Sequence, residues 1–234
     1  MTAARDHLAL ALDVATVDEA QALARRLRPW FGIAKVGYEL YAVAGPGVFD
    51  DLRDLGFRVF ADLKLHDIPT TVRRGATALG RRGVEFLNFH AAGGVEMLRA
   101  GADGLREGAR EAGRPDPRAL AVTVLTSDAD PGAFDSRLDV AIAAGCDGVV
   151  CSAHEVETVK ARASSFGAMV PGIRMPDAAR DDQARVATPG QAIALGADWL
   201  VIGRTVTAAD DPEAAAEAVL RTVDDALARP PATR

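Results

Sequence analysis

Short apolar runs alternate along the chain with longer segments in which apolar residues recur at helical spacing. Examples of the longer segments are "VDEAQALARRLRP" and "VEMLRAGADGLREGAREAG". Runs that are apolar throughout are typical of strands in a parallel sheet that helices cover on both faces. The apolar runs are residues 8–13, 32–37, 57–64, 84–90, 119–126, 147–152, 167–172 and 198–203. Eight strand–helix units predict an α/β protein with a (β/α)8 TIM barrel fold.

The chain of 234 residues has the length of one such barrel, and no linker rich in proline, glycine or serine divides it. We therefore predict a single barrel domain over residues 1–234, with a frayed C-terminal tail in "ARPPATR". The same alternation of strands and helices is compatible with a doubly wound open sheet, which remains the alternative.

The composition excludes several classes of partner. Apolar residues make up 49% of the chain and charged residues 26%, which is typical of a globular protein with a large core. The net charge of -6 argues against binding to nucleic acid or to an anionic membrane. No run is long enough to span a bilayer and no signal peptide is recognisable, so a cytoplasmic protein is expected. Cys146 and Cys151 do not form a CxxC motif, and we expect two buried free thiols.

Polar residues accumulate where the predicted strands end. In a βα barrel the carboxyl ends of all strands face the active site, so residues far apart in sequence would meet on one rim. The residues at these positions are Asp13, Lys35, Asp62, Lys64, His90, Thr126, Ser127, Arg174, Gly203 and Arg204.

The segment "FADLKLHDIPTT" contains the densest set of charges. Asp62 and Lys64 are two residues apart on a strand and should point to the same side, while Asp67 lies beyond the strand near a helix that Ile68-Pro69 opens. Lys35 adds a second ammonium group. In a pocket such alternating charges would keep the lysines protonated and the aspartates ionised. The alternative is a solvated surface cluster of little energetic value.

A phosphate site is predicted at the last two strands, which end in "VPGIR" and "VIGRT". In many barrels these loops bind phosphate through backbone N–H groups, and Arg174 and Arg204 could add charged hydrogen bonds. Gln183 could add an amide donor. Asp13 suits sugar hydroxyls, and "VLTS" places Thr126 and Ser127 where they could bind a polar ring. Strand-end caps and turns are the alternative explanation of these residues. His66 and His90 have no evident acid–base partner and favour a structural role.

Several segments together resemble orotidine 5′-phosphate decarboxylase of the bacterial type. They are "ALD", "AKVG", "FADLKLHDIPTTV", "NFHAAGG", "VLTS", "VPGIR", "DQARV" and "GADWLVIGR", in order between residues 8 and 212. The family usually has asparagine after the proline of "DLKLHDIP", where this chain has Thr70. That difference concerns one turn contact and leaves the charged set intact.

The resemblance implies decarboxylation of orotidine 5′-phosphate to UMP in de novo pyrimidine biosynthesis, with no metal and no other cofactor. It makes Lys64 the proton donor and Lys35, Asp62, Lys64 and Asp67 the catalytic charges. It also implies a homodimer in which Asp67 and Thr71 reach into the partner's site. The implied substrate-binding residues are Asp13, Lys35, Asp62, Ile68, Pro69, Thr70, Thr71, Thr126, Ser127, Pro171, Arg174, Gln183, Gly203 and Arg204.

Three other functions remain open. A Mg²⁺-dependent phosphosugar decarboxylase or a hexulose-phosphate synthase of the same barrel type would share the D-x-K-x-x-D core. A Schiff-base aldolase would need a depressed pKa at Lys64, which flanking aspartates oppose. A non-catalytic phosphosugar-binding barrel should lack the complete charged set.

Overall fold

The computed structural model of the protein describes residues 3–124, 131–175 and 187–229. In these residues eight parallel strands close into a barrel in chain order. The strands are β1 (Leu8–Ala11), β2 (Ile33–Val36), β3 (Arg58–Leu65), β4 (Phe86–His90), β5 (Arg118–Val122), β6 (Gly148–Val150), β7 (Gly167–Val170) and β8 (Trp199–Ile202). Because β1 pairs with β8, the predicted barrel is confirmed and the open sheet is excluded.

Helices follow the strands and form the outer layer. Within the described part of the chain they are α1 (Val17–Leu27), α2 (Tyr38–Ala44), α3 (Gly47–Asp54), α4 (Pro69–Arg81), α5 (Gly94–Glu111), α6 (Phe134–Ala144), α7 (Val156–Arg162), α8 (Pro189–Ala194), α9 (Arg204–Thr207) and α10 (Pro212–Leu227). Among these helices none is both long and apolar enough to cross a membrane.

Several helices begin where the sequence supplies a cap. Thr16 accepts a hydrogen bond from the backbone N–H of Glu19 at the start of α1, and Asp211 caps α10 in the same way. Pro69 occupies the first turn of α4, where its missing N–H costs no helical hydrogen bond. The sequence prediction that Ile68-Pro69 opens a helix is therefore confirmed.

The interior of the barrel is filled by side chains except at its carboxyl end. Phe60, Phe86 and Trp199 meet edge to face, with ring centroids 6.4 Å apart for the first pair and 5.0 Å for the second. Arg58 and Arg118 lie over Phe86 and Trp199 near the amino ends of their strands. The space for a ligand is consequently at the opposite end, where the polar residues accumulate.

Helices α4 and α5 pack backbone against backbone. A Cβ atom added to Gly108 would overlap the carbonyl oxygen of Thr77, and one added to Gly104 would overlap that of Arg73. On the α4 side, a Cβ at Gly80 would overlap the carbonyl oxygen of Leu105. The ion pairs Arg73–Glu107 and Arg81–Glu111 span the same pair of helices. These three glycines allow α4, which begins next to the charged segment, to lie close against its neighbour.

Replacing Gly108 with alanine should separate these helices, because the added methyl group meets rigid backbone. We expect the free energy of unfolding to fall by about 1–3 kcal/mol, as for other overpacked sites. Urea denaturation followed by circular dichroism would measure it. Gly47→Ala is the matched control, since a Cβ there meets nothing within 4 Å. Equal stabilities of the two variants would contradict the close packing of α4 and α5.

Candidate active site

A cavity of about 420 Å³ opens at the carboxyl ends of the strands. Its floor and walls include apolar side chains such as Phe60, Val122 and Val201, and Cys151 follows β6 on the same wall. The cavity also brings together eight of the residues predicted from the sequence. These are Asp13, Lys35, Asp62, Lys64, Pro171, Arg174, Gly203 and Arg204.

Four of the charged residues form an alternating row. The Lys35 ammonium group lies 2.8 Å from the Asp13 carboxylate and 3.4 Å from Asp62 Oδ2. The Lys64 ammonium group lies 2.6 Å from Asp62 Oδ1. The Lys35 side chain is only 7% exposed, and that of Asp62 17%. Lys35 and Asp62 are therefore part of the wall of a pocket, and the alternative of a solvated surface cluster is wrong for them. Asp13 lines the same pocket with its side chain 55% exposed.

The electrostatics of the row keep Asp62 ionised. Burial raises the pKa of the Asp62 carboxyl group, but the ammonium groups of Lys35 and Lys64 oppose it. Hydrogen bonds from Lys64 and Asn88 act in the same direction as these charges, and the pKa ends below its usual value. At neutral pH this carboxylate is therefore negative.

Strand β3 is not regular where it carries Asp62 and Lys64. Its pairing with β4 shifts from Ala61 opposite Leu87 to Leu65 opposite Phe89, which is a bulge. Lys64 has φ of 43°, the only positive φ of a non-glycine residue in the described part of the chain. The sequence argument that both side chains face the pocket was correct, but its reason, simple two-residue alternation, was incomplete.

Two residues that support this bulge were missed in the sequence. Asn88 in β4 is fully buried, and its carboxamide bonds both Asp62 and the backbone N–H of Lys64. The hydroxyl group of Tyr38 donates a 2.5 Å hydrogen bond to the Leu63 carbonyl oxygen. A polar residue inside the apolar run of β4 was a signal for Asn88, whereas Tyr38 has no comparable signal.

Gly37 leaves room for the ion pair between Asp13 and Lys35. A Cβ at this position would lie 2.8 Å from Asp13 Oδ1 and 3.4 Å from the Lys35 ammonium nitrogen. Sterics therefore explain why the last residue of "AKVG" is glycine, since any side chain there would push against the Asp13–Lys35 ion pair.

The two arginines and the glycine of the predicted phosphate site line the same cavity. Gly203 and Arg204 follow β8, and Arg174 follows β7 after Gly172, whose φ is 77°. The Arg174 guanidinium group donates a 3.0 Å hydrogen bond to the carbonyl oxygen of Ile173. This bond holds the Arg174 side chain close to its own loop. The cavity thus has a row of alternating charges and two cationic side chains, which follow β7 and β8.

The other predicted residues lie outside the cavity or outside the described residues. Asp67 is exposed, accepts a hydrogen bond from the N–H of Ile68, and makes no ion pair with any residue that the structure describes. Pro69, Thr70 and Thr71 are exposed in the first turn of α4. Thr126, Ser127 and Gln183 lie outside the described residues.

The remaining candidates are two histidines and two cysteines. His66 and His90 stack with ring centroids 5.4 Å apart, and His90 Nδ1 accepts a hydrogen bond from the N–H of Ala92. Burial lowers the pKa of His90, and the charges of Arg137, His66 and Lys64 lower it further. Cys146 and Cys151 are buried free thiols, as predicted. Burial raises the pKa of Cys146 to about 12 and also raises the pKa of Cys151.

Comparison with known proteins identifies a family. The model described as "Orotidine 5'-phosphate decarboxylase / HUMPS family" matches residues 6–219. The chain is 47% identical over 229 residues to the orotidine 5′-phosphate decarboxylase of Nitratidesulfovibrio vulgaris (strain DP4), covering 92% of this chain and 96% of the relative. It is 43% identical over 236 residues to that of Moorella thermoacetica, covering 94% and 93%.

Solved structures agree with these relatives. The structure of orotidine 5′-phosphate decarboxylase from Lactobacillus acidophilus is similar with a TM-score of 0.79 and 36% identity, covering 94% of this chain and 99% of that one. The enzyme from Pyrococcus horikoshii OT3 has a TM-score of 0.75 at 23% identity, a likeness of fold.

Replacing Lys35 with methionine should raise the pKa of Asp62, because the largest charge that opposes the cost of burial is lost. Carbon NMR of the carboxyl groups across a pH titration would measure the change. Lys160→Met is the matched control, since Lys160 pairs with Asp198 and does not line the cavity. An Asp62 titration that is identical in the Lys35 variant and the wild type would contradict the coupling.

Proposed function

Because the chain belongs to the orotidine 5′-phosphate decarboxylase / HUMPS family, we propose that it converts orotidine 5′-phosphate to UMP and carbon dioxide. This reaction is a step of de novo pyrimidine biosynthesis. The observation that carries the proposal is the row Asp13–Lys35–Asp62–Lys64 in a cavity that two arginines also line. The row supplies the charges that the chemistry needs, and the arginines suit a phosphate.

The chemistry requires an ammonium group next to one carbon of the pyrimidine. The bond from C6 to the carboxylate breaks, its electron pair stays on C6, and carbon dioxide leaves. The Lys64 ammonium group then gives its proton to C6 and becomes a neutral amine, which water reprotonates. Before that step its positive charge stabilises the developing carbanion more than the bound substrate, and this difference lowers the barrier.

Asp62 has two functions in this scheme. It holds the Lys64 ammonium group at 2.6 Å. It also lies beside the position proposed for the substrate carboxylate, where like charges favour departure of carbon dioxide. Two charges ~4 Å apart interact by only ~4 kcal/mol at an effective dielectric constant of ~20. Enzymes lower barriers by ~8–23 kcal/mol, so contacts with the rest of the substrate must also contribute.

Those further contacts would bind three parts of the substrate: the ribose, the phosphate and the pyrimidine. Asp13 and Lys35 would bind ribose hydroxyl groups, and Gly203 and Arg204 would bind the phosphate, with Arg174 and Pro171 beside them. Thr126 and Ser127 remain the predicted contacts of the pyrimidine, and Gln183 remains a predicted phosphate ligand. Their binding energy can hold the ring against Lys64.

We also propose that the active protein is a homodimer in which Asp67 and Thr71 complete the partner's site. Asp67 is exposed three residues after Lys64, the residue at which the row of alternating charges ends and a further carboxylate would fit. Helices α2 and α4 flank an apolar groove of about 520 Å³ lined by Tyr41, Leu63 and Leu65 among others. Ile68, directly before α4, is 67% exposed. A second copy of the chain would cover this apolar surface.

The proposal includes action in the cytoplasm and catalysis without a metal or an organic cofactor. The family name also covers a HUMPS branch, so a Mg²⁺-dependent reaction on a sugar phosphate is the second candidate. The two candidates differ in their response to a chelator, because an enediolate intermediate needs the metal and the protonated lysine mechanism does not.

Purified protein in excess EDTA should consume orotidine 5′-phosphate, measured by the loss of the orotate-type absorbance. Lys64→Ala should abolish this turnover while UMP binding, measured by calorimetry, remains, because the phosphate and ribose contacts are unchanged. Lys160→Ala is the control for loss of a lysine elsewhere, and it should retain turnover. Turnover that EDTA abolishes, or that survives in Lys64→Ala, would contradict the mechanism.

Mixing two inactive variants tests the shared site. Lys64→Ala and Asp67→Asn are unfolded together, refolded, and assayed after size-exclusion chromatography has shown subunit exchange. In a mixed dimer one site receives both defects and the other receives neither, so about a quarter of all sites should recover at random 1:1 pairing. Lys64→Ala mixed with Asp62→Asn is the control and should recover nothing. Absence of recovery in the first mixture would rule out a contribution of Asp67 to the partner's site.

A further inference from the structure

Asn88 is a polar residue in the middle of a buried strand. It lies in β4 between Leu87 and Phe89, and all three residues are fully buried. A buried amide costs stability unless its donor and its acceptor both find partners. Both groups of Asn88 do, and both partners belong to the segment of β3 that carries Asp62 and Lys64.

The contacts fix the orientation of the amide. Asn88 Oδ1 accepts a 2.7 Å hydrogen bond from the backbone N–H of Lys64, which can only donate. Asn88 Nδ2 donates a 2.7 Å hydrogen bond to Asp62 Oδ1, which as a carboxylate can only accept. The reverse orientation would place two donors face to face and two acceptors face to face.

These contacts close a ring with the ammonium group of Lys64. Asp62 Oδ1 accepts from both Asn88 Nδ2 and Lys64 Nζ, at 2.7 Å and 2.6 Å. Lys64 is therefore held at both ends, through its backbone N–H by Asn88 and through its side chain by Asp62. Each of the three residues is positioned by the other two.

The ring matters because the backbone at Lys64 is strained. A φ of 43° is unfavourable for a residue with a side chain, and it persists only where the surroundings hold it. The bulge shifts Lys64 out of the regular pairing between β3 and β4. The backbone N–H of Lys64 instead donates its hydrogen bond to the Asn88 side chain on the neighbouring strand. Without this bond the backbone could relax, and the side chain of Lys64 would then point in another direction.

We propose that Asn88 is a positioning residue for the proton donor: its amide holds the β3 bulge and the Asp62 carboxylate so that the Lys64 ammonium group faces the cavity. The proposal rests on the proposed decarboxylation. Donation from the amide to Asp62 also lowers the pKa of that carboxyl group and so favours its ionised form beside Lys64.

Asn88→Leu removes both hydrogen bonds and keeps the number and branching of the side-chain heavy atoms. We expect kcat for orotidine 5′-phosphate to fall by about ten- to a hundredfold, the range for losing a hydrogen bond to a charged group. The affinity for UMP should stay unchanged, because Asn88 does not line the cavity. The acid limb of the pH profile of kcat/KM should move to higher pH, since Asp62 loses a donor.

Thr123→Val is the matched control. Thr123 is also fully buried beyond a strand end, and its hydroxyl group donates to the Val150 carbonyl oxygen without touching the charged row. Its loss should leave kcat and the pH profile unchanged. A kcat of Asn88→Leu within about twofold of wild type would overturn the proposal. A parallel loss of kcat and UMP affinity would overturn it too, because that pattern indicates general disruption.

Asn88→Asp keeps the shape and serves as the second variant if the leucine variant does not fold. The ionised aspartate still accepts from the Lys64 N–H but repels Asp62, whereas the protonated form can donate as the amide does. Its kcat relative to wild type should therefore rise as the pH falls, and a constant ratio would overturn the proposal. Wild-type protein without turnover would instead refute the proposed function, so the two failures are distinguishable.

Discussion

The carboxylate of Asp62 lies between two ammonium groups, and the arrangement of the site depends on this contact. Burial on its own raises the pKa of a carboxyl group and favours its neutral form. Here Lys35 on β2 and Lys64 on β3 compensate for the cost of burial, so the negative charge persists inside the protein. Each lysine in turn has a negative neighbour. Removing any one of the three charges would leave an uncompensated charge on the wall of the cavity.

The barrel makes this contact possible by bringing neighbouring strand ends together. Strands β2 and β3 pair with Lys35 opposite Phe60, two residues before Asp62. The aromatic side chains in the barrel interior fill the space below the row and keep water from the amino end. The cavity that the charges line lies at the carboxyl ends of the strands, and the same closed sheet brings Arg174 and Arg204 to it.

The strands of the barrel and many residues of the cavity could be predicted from the sequence, because apolar strand runs and polar residues at strand ends are local signals. All eight strands were found, and the position of Asp62 or Arg204 in the cavity follows from where each apolar run ends. The bulge at Lys64 was not predicted, because no sequence signal in a strand-like run indicates that a lysine has a positive φ. Asn88 and Tyr38 form hydrogen bonds to residues of β3 from another strand and from a helix. Such contacts depend on how the elements are aligned in the folded protein, which the sequence does not reveal locally.

The contact between α4 and α5 has a consequence for how this chain can vary. Where helices meet through side chains, one substitution can be absorbed by rotation of its neighbours. At Gly80, Gly104 and Gly108 the neighbours are carbonyl groups, which cannot rotate away. These positions lie in the outer layer of the barrel, yet each admits only the smallest residue. At these three positions mutational tolerance is therefore set by the proximity of the neighbouring backbone and not by a role in the cavity.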